Sequence, residues 1–260
     1  MAFVIGDIHG CVHTLQNLVQ EIHKIEEDAQ LVFVGDYVDR GRWSLSTVGY
    51  LMELQKKGDV CLRGNHDDVF SWFINGKCKS RLSDLVYGSI NTYTVFNWWF
   101  HSNGFGSTVK SFCDISDLDP TNYHDHIHEV VVRLNASVSQ EHRDFFENLP
   151  LYWSNDKCFA CHGWFSDDEL KPDDVWISSD RAMDILWGRF EELEGRHPKW
   201  GKVGVFGHSM TQNYGEDQPI RQDLIRLVDT GCFDGGGLSA YHDETDSFIQ
   251  VPTDPKDLVS

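Results

Sequence analysis

Positive charge is scarce in this chain. Lysine and arginine number 22 against 41 aspartates and glutamates, a formal charge of −19 over 260 residues. Nucleic acids and anionic membranes are bound through a basic footprint, so neither is expected as the main partner. Long hydrophobic runs are also missing, and no basic leader precedes the apolar Phe3-Val4-Ile5. Neither a membrane span nor an export signal is expected, and the cytoplasm is the expected compartment. The seven cysteines are odd in number and scattered; without export this favours reduced thiols over a disulfide framework. Internal repeats and a clear linker are absent as well. With 40% hydrophobic and 13% aromatic residues, a sizeable core is available, and one domain over residues 1–260 is expected. Nothing in the pattern asks for an obligate partner, so a monomer is expected.

What is present is an alternating pattern. Residues 3–6 are a short apolar run. Val12, Leu15, Leu18, Val19, Ile22 and Ile25 then recur at the spacing of one helix face. Leu31-Val32-Phe33-Val34 reads as a buried strand. Ser44 is placed to cap a second helix whose apolar set is Leu45, Val48, Leu51, Met52 and Leu54. Val60-Cys61-Leu62 is a third strand. This β-α-β-α-β order implies an α/β fold with a largely parallel sheet covered on both faces. Residues 68–149 differ: they are rich in aromatics (Trp72, Phe73, Tyr87, Tyr93, Phe96, Trp98, Trp99, Phe100) and read as a mostly helical insertion. Strands resume at 157–161, 203–206 and 224–228, the last leading to Asp229, and a polar tail from about Asp243 holds one strand-like run at 248–251.

The chemistry sits where these strands end. Gly-Asp-Ile-His-Gly occupies 6–10, Gly-Asp-Tyr-Val-Asp-Arg-Gly 35–41 and Gly-Asn-His-Asp 64–67. His162 and His208 each follow an apolar run beside a glycine. In such sheets ligands bind beyond the carboxyl ends of the strands, so these segments can converge. An isolated Asp-x-His is more often a loop and cap pair than a metal site. Together they supply the carboxylates, imidazoles and amide that a pair of divalent cations needs. Asp36 is the pivot, because a carboxylate can bridge two cations about 3.5–4 Å apart, which share and acidify a hydroxide aimed at phosphorus. Mixed nitrogen and oxygen donors suit manganese, iron, zinc or cobalt better than magnesium or calcium.

With these residues in view, the segments resemble those of the PPP family of metallophosphatases, which includes bacterial Ser/Thr protein phosphatases and symmetric diadenosine tetraphosphate hydrolases. The resemblance implies a calcineurin-like metallophosphoesterase fold: two packed mixed β-sheets flanked by helices. It implies Asp7 and His9 on a first metal, Asp36 as the bridge, and Asn65, His162 and His208 on a second. Two divalent ions are implied, with manganese the first expectation. His66 would protonate the leaving oxygen and Asp39 would orient that imidazole. Arg40 and Arg189 would grip phosphate oxygens, with Asn65 beside them. The intact Asp39-Arg40 pair and the His162-Gly163 context are nearer the protein phosphatases, so a phosphoprotein phosphatase acting on a phosphopeptide substrate is the first expectation. The alternative is a symmetric dinucleoside tetraphosphate hydrolase.

Three further features compete for attention. Cys158-Phe159-Ala160-Cys161-His162 matches the C-x-x-C-H pattern of haem attachment and could also suggest a redox dithiol. The strand-like run around both cysteines and the need for His162 elsewhere favour buried structural thiols. Gly235-Gly236-Gly237 lacks the Lys-Ser/Thr and helix of a phosphate-binding loop and reads as a structural loop near the site. Trp98, Trp99 and Phe100 could stack a nucleobase or a phosphotyrosine ring, but a core between insertion and sheet is the simpler expectation.

Overall fold

The computed structural model describes residues 1–76, 92–118, 123–164, 182–190 and 197–259. The opening apolar runs form strand β1 (Ala2–Ile5), helix α1 (Val12–Ile25), strand β2 (Gln30–Phe33), helix α2 (Ser44–Lys56) and strand β3 (Val60–Cys61). The three strands pair in parallel. α1 buries Val12, Leu15, Leu18, Val19 and Ile22. Ile25 completes the spacing in sequence but is exposed, because the helix ends there. Ser44 is the first residue of α2 rather than its cap, which is Trp43. Its hydroxyl lies 3.1 Å from the Thr108 hydroxyl, while Ser111 Oγ accepts from Leu45 N–H at 2.9 Å. The helix start is therefore satisfied in part by side chains distant in sequence.

Helices α3 (Asn65–Asn75), α4 (Thr92–Ser102), α5 (Phe105–Phe112), α6 (Tyr123–Ser137) and α7 (Gln140–Asn148) follow. The described part of the expected insertion is thus mostly helical; residues 77–91, with Tyr87, and 119–122 lie outside the described residues. The insertion shares its core with the outer face of the first sheet, where Phe70, Phe96, Phe105, Phe112 and Phe146 join Phe3, Ile5 and Phe33. Fully buried Arg63 ties the two together. It pairs with Asp68 at 2.9 Å and donates to the Phe146 and Glu147 carbonyls.

The second half contributes β4 (Tyr152–Ser154), β5 (Cys158–Cys161), α8 (Ala182–Trp187), β6 (Val203–Phe206), β7 (Ile220–Gln222), β8 (Ile225–Leu227), β9 (Leu238–His242) and β10 (Ser247–Val251). The sheet orders are β10-β9-β1-β2-β3 and β4-β5-β6-β8-β7. β9 runs antiparallel to both β1 and β10, and β4 and β7 are antiparallel edges. Both sheets are mixed, as the resemblance implied. The largely parallel sheet read from periodicity describes only β1–β3 and β5-β6-β8, because short β4, β7 and β9 gave no long apolar run. Val4, Val32, Val34 and Leu62 of the first sheet pack on Cys158, Ala160, Val205 and Val228 of the second. Helices cover the outer faces, with α8 on the second sheet. Among the described residues no helix is long and apolar enough to cross a membrane.

Candidate metal centre

The segments that leave β1, β2, β3, β5, β6 and β8 meet at one edge of the sandwich. Their backbone is unusual. Seven described non-glycine residues have positive φ, and five of these are His9, Asp36, Asp39, Arg40 and His208. Each side chain is turned inward by a left-handed residue that costs free energy outside glycine, and such strain concentrates at functional sites. Two glycines permit the approach of backbone to carboxylate. A Cβ at Gly64 would lie 2.1 Å from Asp36 Oδ1, and one at Gly207 would lie 2.1 Å from Asp7 Oδ1.

The donor atoms face one another in a way that suits a bound cation. His162 Nδ1 lies 3.1 Å from the Val34 carbonyl, which must accept its proton. Nε2 is then a lone pair, yet it lies 2.9 Å from Asn65 Oδ1 and 3.4 Å from Asp36 Oδ1. His9 repeats the arrangement: Nδ1 is 2.7 Å from the Val38 carbonyl, and Nε2 is 3.3 Å from Asp36 Oδ2. Burial holds His9 neutral, its pKa lowered to about 4, and burial also lowers His162 and His208. Among the described residues Nε2 of His208 is buried with no hydrogen-bond partner, and Nε2 of His9 meets only the Asp36 carboxylate. Metal-bound histidines show this pattern, with one nitrogen on a backbone carbonyl and the other free for the ion. Burial disfavours the charged Asp36 carboxylate, but His162, His66 and His9 outweigh it and its pKa is well below the usual range. Asp7 moves the opposite way, raised by burial and then by Asp229 and Asp36. Buried carboxylates in this excess fit two dications.

Among the described residues two ligand groups come together within 4.8 Å: His9, Asp36 and His66, and Asp36, His162 and His208. Asp36 is common to both, as a bridge requires. Asp7 does not close such a group with His9 and Asp36; its two oxygens accept the His208 N–H at 3.0 and 3.3 Å. Arg189 donates to the His208 carbonyl at 2.7 Å and sits at the rim.

His66, Asp39 and Arg40 form a chain beside these groups. His66 Nδ1 is 2.6 Å from Asp39 Oδ2, and its Nε2 is 3.2 Å from Arg40 Nη2 and 4.0 Å from Asp36 Oδ2. Nδ1 therefore carries the proton toward Asp39, and Nε2 is the atom left to take or give one.

Sequence reasoning left several residues here without a role. Trp99 is core, as expected, but its indole N–H also donates to Asp39 Oδ2 at 2.9 Å. Thr108 accepts from Asp39 N–H and donates to Asp39 Oδ1, both at 2.7 Å. Asp229 lies close enough to Asp7 to raise it, and its own pKa is pushed to about 6 by burial. Its signal was an apolar strand ending in Asp-Thr-Gly. Asp67 accepts backbone N–H groups from Asp36, Tyr37 and Gly64 at 2.7, 2.9 and 2.9 Å. It thereby clamps the β2 and β3 loops together. An amide would keep one acceptor and turn its own N–H groups toward these donors. Asp67→Asn is therefore expected to lower stability by about 2–4 kcal/mol, read by denaturant unfolding; a loss below about 0.5 kcal/mol would remove the clamp.

The competing motifs resolve as structural. Cys158 joins the core between the sheets and Cys161 the core under α8, the opposite faces expected of strand residues three apart. Both thiols are free and buried, and burial raises the pKa of each. The glycine run joins a 3-10 turn, Cys232–Asp234, which sets Phe233 against His9 and Arg40, to β9. Trp98 is exposed, whereas Trp99 and Phe100 are buried.

A two-sheet sandwich carrying shared carboxylate and imidazole donors at its strand ends defines a class: a metal-dependent phosphoester hydrolase. The calcineurin-like phosphoesterase family matches residues 2–222, and the chain belongs to that family. It is 40% identical over 273 aligned residues, 96% of each chain, to the symmetrical bis(5'-nucleosyl)-tetraphosphatase of Marinomonas sp. (strain MWYL1). Matches to proteins of the same name from Janthinobacterium sp. (strain Marseille) and Erwinia tasmaniensis span only 30% and 36% of those proteins. The serine/threonine-protein phosphatase PP1-1 of Saccharomyces cerevisiae is 43% identical over 120 residues, 44% of this chain and 32% of that one. Solved structures share the fold. A metallophosphoesterase from Sphaerobacter thermophilus superposes with a TM-score of 0.52 at 14% identity, covering 97% of this chain and 89% of that one. A protein serine/threonine phosphatase from Saccharomyces cerevisiae gives 0.51 at 16% identity, covering 97% and 79%.

Proposed function

We propose that this chain hydrolyses dinucleoside tetraphosphates symmetrically, releasing two nucleoside diphosphates. The observation that carries this reading is the 40% identity to a symmetrical tetraphosphatase along 96% of both chains. It reverses the order expected from Asp39-Arg40 and His162-Gly163 alone, which put a phosphoprotein first. That second reading keeps one support: 43% identity to a PP1-type phosphatase over 120 residues.

The two readings share their chemistry. His9, Asp36, His162, His208 and Asn65 would hold two divalent cations, manganese first, with Asp7 as a further candidate ligand. Bound there, the cations would acidify a water and draw charge from the phosphoryl oxygens. Asp39, held by Trp99 and Thr108, keeps His66 Nδ1–H in place and leaves Nε2 to protonate the leaving oxygen. Arg40 faces that nitrogen and is drawn to the substrate's phosphoryl oxygens, where a guanidinium fork fits. Arg189, bonded to the His208 carbonyl, would serve the same oxygens. The water oxygen bonds to phosphorus in line, the bridging P–O bond breaks, and the proton on Nε2 passes to the departing oxygen. The proton lost by the water replaces it.

Hydrolysis rates on one panel in manganese divide the readings: diadenosine tetraphosphate, phosphoserine, phosphothreonine and phosphotyrosine peptides, and p-nitrophenyl phosphate. The dinucleotide is expected to have the highest kcat/KM. A phosphopeptide turned over faster would return the protein to the phosphoprotein class.

A further inference from the structure

Phe233 lies in the loop between β8 and β9, and the chemistry above leaves it without a role. Its place is fixed by its own loop. The turn Cys232–Asp234 closes through the Asp234 N–H on the Gly231 carbonyl at 2.9 Å. Asp229 Oδ1 accepts the Gly231 N–H at 3.1 Å, and Thr253 Oγ1 donates to the Cys232 carbonyl at 2.8 Å. Cys232 is buried in the core, and the half-buried Phe233 ring is turned to the metal centre. The His9 ring meets it edge to face at 5.2 Å. The guanidinium carbon of Arg40 lies over it, 4.4 Å from its centroid.

We propose that Phe233 is a positioning residue that holds the Arg40 fork ready for the phosphoryl oxygens of the substrate. The proposal rests on the phosphate-gripping role given above to Arg40, and not on which phosphoester is cleaved. Arg40 needs such a support. Its backbone N–H is fixed on the Gly104 carbonyl at 3.1 Å, but a flexible stem separates that bond from the guanidinium. A long side chain loses rotamer freedom when it grips a ligand, and a fork that is already held loses less. The aromatic face attracts the cation without offering an acceptor oxygen, so the N–H donors stay available for phosphate. A carboxylate in the same place would compete with phosphate for them. One nitrogen of the held fork, Nη2, lies 3.2 Å from His66 Nε2, so the ring fixes the arginine beside the group that protonates the leaving oxygen.

The test uses the manganese-loaded enzyme on p-nitrophenyl phosphate, with orthophosphate as inhibitor; the dinucleotide reading stands or falls separately, on diadenosine tetraphosphate. Phe233→Leu keeps apolar volume at a half-buried site and removes the aromatic face. It is expected to raise KM and the orthophosphate inhibition constant together by about tenfold. The change in kcat should stay below about twofold, as when binding common to ground and transition states is lost. Phe233→Tyr keeps the face and should stay within about twofold of the parent. In an Arg40→Ala background Phe233→Leu should cost nothing further, because a residue that acts through another is not additive with it. Equal losses in both backgrounds would overturn the proposal, as would a Tyr variant no better than Leu. Manganese titration of Phe233→Leu should match the parent; weakened binding would assign the ring to His9 and overturn the Arg40 role of Phe233. Parental kcat/KM in Arg40→Ala would remove the arginine's role and the proposal with it, and would leave the dinucleotide reading standing.

Discussion

Replacing His66 with Asn is expected to lower turnover of diadenosine tetraphosphate by about 10²–10⁴-fold, the usual range for a lost general acid. That corresponds to about 3–5 kcal/mol of transition-state stabilisation. The substitution keeps a polar side chain of similar reach but removes the nitrogen that faces the reacting atoms. Asp39, Trp99 and Thr108 would still hold one another, because the Trp99 and Thr108 bonds to the carboxylate do not involve His66. Two readings of His66 differ in what else changes. Its ring closes a ligand group with His9 and Asp36, so a ligand role predicts that metal content falls with turnover. An acid role predicts full metal content and a smaller loss on p-nitrophenyl phosphate, whose leaving group departs without a proton. Metal analysis of the purified variant, set beside kcat on both substrates, separates these. Undiminished turnover on the dinucleotide would exclude both.

Asp36→Asn should act on the metals themselves. One carboxylate oxygen faces His162 at 3.4 Å and the other faces His9 at 3.3 Å, so two bound cations would both draw on this residue. The amide retains one acceptor oxygen and no charge. Residues that merely support a metal ligand cost about 10–100-fold in affinity when removed; a shared ligand is expected to exceed that range and to empty at least one site. Asp36 Oδ1 also accepts the His66 N–H at 2.9 Å, so the loss should extend to the approach of the β3 loop. Calorimetric titration with manganese reads the affinity, and two ions bound at parental strength would refute the bridge. The same titration carries a pH dependence whose sign is fixed by two shifts. His9, lowered to about 4, is already neutral above pH 5 and releases no proton. Asp7, raised by burial and its acidic neighbours, must lose one to bind. Affinity is therefore expected to rise with pH and to be accompanied by proton release, visible as a dependence of the heat on buffer ionisation enthalpy.

Much of this was legible along the chain, and the reason is local. α1 spans Val12–Ile25, the residues its apolar spacing marks. Each candidate donor follows a strand read from three or four consecutive apolar residues, and a strand so short delivers its last side chains to one edge whatever surrounds it. The unread strands were those with weak local signal. β9, Leu-Ser-Ala-Tyr-His, alternates small and polar residues, yet it is buried at every position between β1 and β10. Its burial comes from strands more than two hundred residues away in the chain or beyond a turn, not from its own pattern. Ser44 was misread for the same reason: as a helix-start serine it suits a cap, but Thr108 claims its hydroxyl.

By itself the sequence determined which residues are candidates for the donor set and their order: Asp7, His9, Asp36, Asn65, His162 and His208, each set at the end of an apolar run beside a glycine or another residue able to turn. Chemistry of this kind is written in residue types, and types survive without coordinates. Only the tertiary structure decided which lone pairs oppose each other, because that depends on the backbone carbonyls of Val34 and Val38 taking the far imidazole protons. It also decided what holds Asp39, since Trp99 and Thr108 lie 60 and 69 residues away.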